Sequence, residues 1–181
     1  VNPAHIGLCA AQGMVKVPVY NKPRVALIST GDELAHPGSS LKGAQIYASN
    51  GLTLKALIED TGAQVIYETS TRDDPHHVRI AFERALDAQP DVVISSGGVS
   101  VGDFDPVRSV LKELKVELDF WKVKMKPGKP LAVGSLNGVP LFGLPGNPVS
   151  CVVSFLIFVY PLLRKTAGYP HKLCHLRQRQ G

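Results

Sequence analysis

Short apolar runs rich in β-branched residues alternate with helically spaced apolar positions along most of the chain. "RVALIS" (24–29), "AQVIYE" (63–68) and "DVVIS" (91–95) have the continuous apolar character of strands buried on both faces. Between the first two, Asn50 is a capping residue type, Leu54, Leu57 and Ile58 share one helical face, and Gly62 supplies a stop. Val78, Ala81, Phe82, Ala85 and Leu86 mark a second helix, and Val107, Val110, Leu111 and Leu114 a third. Strand and helix in alternation predict an α/β fold, a mostly parallel sheet with helices on both faces. "PLAVGSLNGVPLFGL" (130–144) adds a β-hairpin that turns at Asn137-Gly138. A long apolar helix after Asn147 closes the domain. Residues 1–23, with "VPVYNKP", read as a leading strand and linker, 24–169 as the domain proper, and 170–181 as a basic tail.

Composition narrows the class. The chain has 181 residues, 44% hydrophobic and 19% charged, which suits one globular domain rather than a disordered chain. Cys9, Cys151 and Cys174 are an odd number without a CxxC pair, so neither a disulfide framework nor a structural zinc site is expected and a reducing cytoplasm is the natural compartment. The most apolar window, residues 149–163, is shorter than the roughly 20 apolar residues that span a bilayer. It predicts a buried or interface helix, and no membrane partner is expected. The formal charge is +5, with all 15 acids but only 11 bases in residues 1–119 and nine bases without an acid in 120–181. Those bases are thinly spread and lack interleaved aromatics, so the partner they suit is a small phosphorylated ligand rather than nucleic acid.

Three predicted helices begin alike. Asp74-Pro75, Asp105-Pro106 and Asn147-Pro148 each set a capping side chain before a proline at the first helical position. Each follows a loop that leaves the carboxyl end of a strand, the edge at which open α/β sheets bind ligands. Glycines in "SSGGVSVGDFDP" (95–106) allow backbone amides to approach a phosphate closely. Six carboxylates crowd the same loops: Asp32 and Glu33, Asp73 and Asp74, Asp103 and Asp105. Each could serve only as a cap or turn residue, but together they would repel unless neutralised, and Mg²⁺ bridging one or two of them to phosphate is the candidate. In "FWKVKMKPGKP" (120–130), Lys122, Lys124 and Lys126 alternate with Val123 and Met125, so a strand there would set all three on one face, as an anion site or a solvated edge. Lys126 and Lys129 flank Pro127-Gly128. No nucleophile triad, dinucleotide fingerprint or phosphate-loop "GKS/GKT" occurs.

Taken in order and spacing, "STGDEL", "SSGGVSVGD", "KPGKP" and "GLPGNPVS" resemble the molybdopterin molybdenumtransferase family, MoeA and the gephyrin E domain, over roughly residues 14–169. The resemblance implies a MogA/MoaB-like molybdopterin-binding fold. It also implies an enzyme that takes adenylyl-molybdopterin and molybdate, requires Mg²⁺, inserts molybdenum and releases AMP. It implies Glu33, Asp73, Asp105, Lys122 and Lys126 as functional acids and lysines, with Asp73, Asp103 and Asp105 toward the metal. Thr30, Gly31, Ser96, Gly97, Gly98, Ser100, Lys129, Pro145, Gly146, Asn147 and Pro148 would surround the cofactor precursor. It further implies a homodimer, a MogA-like adenylyltransferase as partner, and a chain that corresponds to the central domain of a larger enzyme. Two alternatives stay open: a binding or scaffold module that holds the pterin without turnover, and the adenylyltransferase step itself, against which the paired "KPGKP" and "GLPGNP" turns argue.

Overall fold

A computed structural model describes residues 1–98 and 106–169. Strands β1 (Arg24–Thr30), β4 (Gln64–Thr71), β5 (Val92–Ser96), β6 (Glu117–Lys122), β7 (Pro130–Leu136) and β8 (Val139–Leu144) form one sheet. Its order is β4-β1-β5-β8-β7-β6. The first four strands in that order run parallel, and β7 and β6 extend the sheet antiparallel. The expected mostly parallel sheet with a hairpin is therefore present. At the hairpin tip Asn137 and Gly138 both have positive φ, 52° and 80°, the backbone a tight turn of this twist requires. The hairpin does more than extend an edge, because β8 sits between β5 and β7 at the middle of the sheet.

The central strands β1 and β5 are buried nearly throughout, whereas β4 is an edge strand whose residues alternate between half-buried and exposed. Helices cover both faces. On one, α2 (Ser49–Asp60) and the long C-terminal helix surround Leu27, Leu54, Ile58, Ile94, Leu144, Phe155 and Leu163; on the other, α3 (Pro75–Asp87) and α4 (Pro106–Glu113) close over Ile28, Phe82, Val93, Val110 and Leu141. Burying such side chains contributes roughly 1.5–3 kcal/mol each, which is why the two apolar faces of each central strand fix where the helices lie.

The C-terminal helix runs through α5 (Pro148–Ser154), a π-helical turn (Phe155–Val159) and α6 (Tyr160–Thr166). The cause of the π turn is local. Pro161 has no N–H, and its ring would collide with the carbonyl four residues earlier in a regular α-helix. Widening the turn so that the Tyr160 N–H donates to the Phe155 carbonyl accommodates it. The full helix, Pro148–Thr166, has 19 residues at a mean hydropathy of 1.5 and is thus longer than the apolar window alone suggests, and by length and composition it could cross a membrane. In this fold Cys151, Phe155, Val159 and Leu163 are instead buried in the core. Burial pushes the Cys151 thiol up to about 12.

Three sequence expectations need correction. Residues 1–23 hold no strand: Asn2 caps α1 (Pro3–Ala11) by accepting from the His5 N–H at 2.9 Å, and Val17 and Val19 are exposed. The alternating apolar residues there pair with no strand of the sheet. Asn50 is not a cap either, since α2 begins one residue earlier after Ala48, which makes no side-chain capping bond. The lysine strand ends early: β6 stops at Lys122, and Lys124 and Lys126 lie in the loop that precedes β7. Because the strand ends at Lys122, the alternation of residues 122–126 does not define a sheet face. A further two-stranded pair, β2 (Leu34–Ala35) with β3 (Ile46–Tyr47), was too short to be visible as an apolar run.

Candidate functional site

The loops that leave the carboxyl ends of β1, β5 and β8 come together because those strands are adjacent and parallel. Thr30 ends β1 and is 3% exposed, yet its Oγ1 has no hydrogen-bond partner among the described residues. Ser29 and Ser96 face one another across the β1–β5 ladder with their hydroxyls 3.4 Å apart. The Gly97 N–H donates to the Leu144 carbonyl at 3.2 Å, which ties the β5 loop to β8. Gly97 has φ 84°, and a Cβ there would stand 2.2 Å from the Thr30 carbonyl oxygen. This position requires glycine on both counts. At Gly98, φ 62°, a Cβ would meet the Thr30 hydroxyl at 2.7 Å and lie 3.5 Å from an Asp73 carboxylate oxygen.

Ser29, Thr30, Ser96 and Gly97 form the floor of a cavity of about 50 Å³, lined also by Glu33, Tyr47, Asn50, Gly146 and Pro148. That volume admits a small polar group, and a larger ligand would extend outward through its open side. Three hydroxyls and the first turns of α2 and α5 give the cavity an anion-binding character. Sequence reasoning missed Asn50 and Tyr47 as cavity residues. Asn50 lies in the first turn of α2 and reaches across to the β8–α5 loop, where its Nδ2 donates to the Gly146 carbonyl at 2.7 Å. No sequence pattern marks a bond spanning 96 residues.

The carboxylates divide into kinds. Asp32 accepts the Asp73 N–H at 3.2 Å, and Asp74 caps α3 by accepting from the His76 and His77 N–H groups. Both therefore have local structural partners. Hydrogen bonds from the His77 backbone, opposed by partial desolvation, hold the Asp74 carboxyl below its ordinary value. Its contribution to the α3 terminus is therefore present above the ordinary carboxylate range and is lost as pH falls through the lowered value. Glu33 borders the cavity, and half-buried Asp73 faces Gly98 from the end of β4. The Gly31 N–H donates to the Thr71 carbonyl, which joins these two loops.

Asn147 caps α5 by accepting from the Ser150 N–H, with Pro148 at the first helical position, while Pro145 is buried beneath. Asp105 as a cap before Pro106, and Ser100, Asp103 and Asp105 as site residues, lie outside the described residues, while Pro106 is the first residue of α4. Among the described residues no group of three or more His, Cys, Asp or Glu could hold a metal ion. A cation caged by these side chains alone does not fit; one held by a single carboxylate such as Asp73 plus phosphate oxygens does.

Lys122, Lys126 and Lys129 line a second, open concavity of about 490 Å³ rather than the first cavity. The loop that bears Lys126 and Lys129 is seated by Gly128, buried with φ 103°, where a Cβ would strike Met125 and come within 2.8 Å of the Ser154 hydroxyl on α5. The same helix thus carries the glycine-loop cavity at its N-terminus and the lysine loop farther along.

A family described as "probable molybdopterin binding domain" matches residues 26–165. The chain is 43% identical over 176 residues to "Molybdopterin molybdenumtransferase 2" of Mycobacterium tuberculosis, an alignment that covers 94% of this chain and 43% of that protein. A crystal structure of the molybdopterin biosynthesis MoeA protein from Pyrococcus horikosii superposes with a TM-score of 0.85 at 39% identity, over 95% of this chain and 42% of that one. A structure of molybdenum cofactor biosynthesis protein B shares the fold, with a TM-score of 0.64 at 14% identity, over 83% of this chain and 97% of its own length. The chain spans about two fifths of the curated relative and of the MoeA structure.

Proposed function

Because this chain belongs to the family of probable molybdopterin-binding domains, we propose that it is the part of a molybdopterin molybdenumtransferase that holds adenylyl-molybdopterin while molybdate is inserted and AMP leaves. The observation that carries the reading is the cavity where Thr30, Gly97 and Gly146 meet, with a buried hydroxyl and close-packed glycine backbone. A phosphate of the substrate would occupy this polar floor, and the rest of the molecule would extend outward toward the surface that bears the lysines. Glu33 and Asp73 face the bound phosphoanhydride in this reading, and Lys122 and Lys126 neutralise charge on the departing adenylate. Asp73 would hold Mg²⁺ together with phosphate oxygens, alongside Asp103 and Asp105. When bound, the ion supplies charge neutralisation at the phosphates.

The test is equilibrium binding of adenylyl-molybdopterin to this chain, followed by AMP release with molybdate and Mg²⁺ in the longer enzyme that carries it. Lys126→Gln is expected to weaken binding by about 1–3 kcal/mol and to flatten its dependence on salt. Affinity equal to wild type at all salt concentrations would return the lysines to a solvated surface.

Assembly follows from the same C-terminal helix. Val149, Leu156 and Ile157 are exposed on it, and Phe158, whose ring centroid is 6.4 Å from that of half-exposed Phe120, extends the apolar surface onto β6. We assign this face to a symmetric homodimer. Light scattering at high protein concentration should give twice the chain mass, and a strictly monomeric species would count against it. A cytoplasmic setting and a MogA-like adenylyltransferase that supplies the substrate complete the proposal.

A further inference from the structure

The geometry points to Asn50 as a positioning residue that holds the Pro145-Gly146 turn against the ligand cavity. The inference rests on the reading of that cavity as the adenylyl-molybdopterin site. Gly146 is confined on two sides: Leu144 behind it accepts the Gly97 N–H, and Asn147 ahead of it caps α5. A Cβ added at Gly146 would lie 3.6 Å from the Gly97 Cα, so the two glycine loops approach to within about one side-chain atom of each other. The third constraint is the Asn50 amide, which donates to the Gly146 carbonyl at 2.7 Å from a different helix.

This bond is not needed by α2 for its own stability. Ala48 occupies the capping position without a side-chain bond, and Asn50 makes its contact away from the helix rather than to its own free N–H groups. In the first turn of a helix asparagine commonly bonds nearby backbone groups of its own segment, and here it does not. What the residue does is turn the Gly146 carbonyl toward α2 and so fix the peptide whose plane forms one wall of the cavity. Without the donor, Gly146 retains only its backbone neighbours, and glycine has the freedom to reorient. Asn50 is half-buried but Gly146 is exposed, and the bond lies at the surface, so its loss should be felt more in the aim of the loop than in global stability.

Aspartate is nearly isosteric but, when ionised, can only accept. Asn50→Asp therefore sets a carboxylate against the Gly146 carbonyl and removes the donor, whereas protonation restores one O–H donor. The experiment titrates adenylyl-molybdopterin into wild type, Asn50→Asp and Asn50→Ala, with thermal unfolding and ¹⁵N relaxation of Gly146 and Asn147 recorded on the same proteins. Expected at pH 7 is an affinity loss of about fivefold to tenfold in both variants, a melting temperature within a few degrees of wild type, and increased motion confined to residues 145–147. The ratio of wild-type to Asn50→Asp affinity should narrow as pH falls toward 4, where the introduced carboxyl takes up its proton. The Asn50→Ala ratio should not. Wild-type affinity in both variants, or a loss that follows a fall in melting temperature without a change at Gly146, would overturn the positioning role. If wild type itself does not bind adenylyl-molybdopterin, the substrate reading and the role built on it both fail. Unchanged Gly146 relaxation in Asn50→Ala would reject the bond as a constraint whatever the ligand.

Discussion

Replacing Gly97 by alanine should destabilise the domain by about 2–4 kcal/mol and abolish measurable binding of adenylyl-molybdopterin. Two independent costs add. A left-handed backbone in a residue with a Cβ costs on the order of 1–3 kcal/mol, and here φ is 84°. The Cβ would also stand 2.2 Å from the Thr30 carbonyl oxygen, a backbone atom that cannot swing aside as a side-chain tip would. Relief requires the β5 loop to lift, which stretches the Gly97–Leu144 hydrogen bond and opens the cavity floor. Denaturant unfolding would give the stability change from the shift in midpoint. A Gly97→Ala protein as stable as wild type, with unaltered ligand affinity, would mean that the close approach of these loops has no part in the site.

Phe155→Ala is expected to cost about 3–5 kcal/mol, the typical range for a buried phenylalanine. Phe155 is fully buried in the core formed by β1, β5, α2 and the C-terminal helix. It also opens the π turn, and its carbonyl accepts from Tyr160. Collapse around the missing ring is restricted, because Pro161 prevents the helix from closing up into regular α geometry. A loss near the top of the range is therefore expected, read again by denaturant midpoint. A loss under about 1 kcal/mol would show that the wide turn adjusts to fill the space. The comparison with Gly97→Ala is informative, since Phe155→Ala removes stability from beneath the site and should leave ligand affinity close to wild type in the folded fraction.

The parallel core was legible because β1 and β5 are buried on both faces and so appear as unbroken apolar runs, and because Asn137-Gly138 has the residue types its turn requires. Three elements were not legible for reasons of tertiary contact. α1 carries no buried residue, so no burial stripe marks it apart from its Asn-Pro start. The β2–β3 pair is two residues long per strand, below any periodic signal. Lysine alternation across residues 122–126 imitated a strand that the backbone leaves at Lys122. For the site, the glycines and the Asp74 and Asn147 caps could be named from residue type. The partition of the carboxylates could not, because whether Asp32 is a ligand or a strut depends on where the Asp73 N–H lies. Asn50 looked like a cap for the same reason: its residue type is correct for one, and only the fold brings Gly146 within reach.

The place of β8 between β5 and β7 has a bearing on how the protein acquires its site. β7 and β8 are joined by a two-residue turn, so their pairing is local and can form on a timescale of roughly 1–10 μs. Pairing β8 with β5 requires the chain between them, with α4, β6 and β7, to be looped out, as pairing β5 with β1 requires for the chain that holds α2, β4 and α3, and each closure costs entropy before any contact offsets it. The Gly97–Leu144 bond belongs to the β5–β8 seam, which is non-local where the hairpin is local. A half-formed domain can thus hold a complete hairpin and a complete β4-β1-β5 unit and still have no cavity, because the cavity exists only along the line where the two pieces dock.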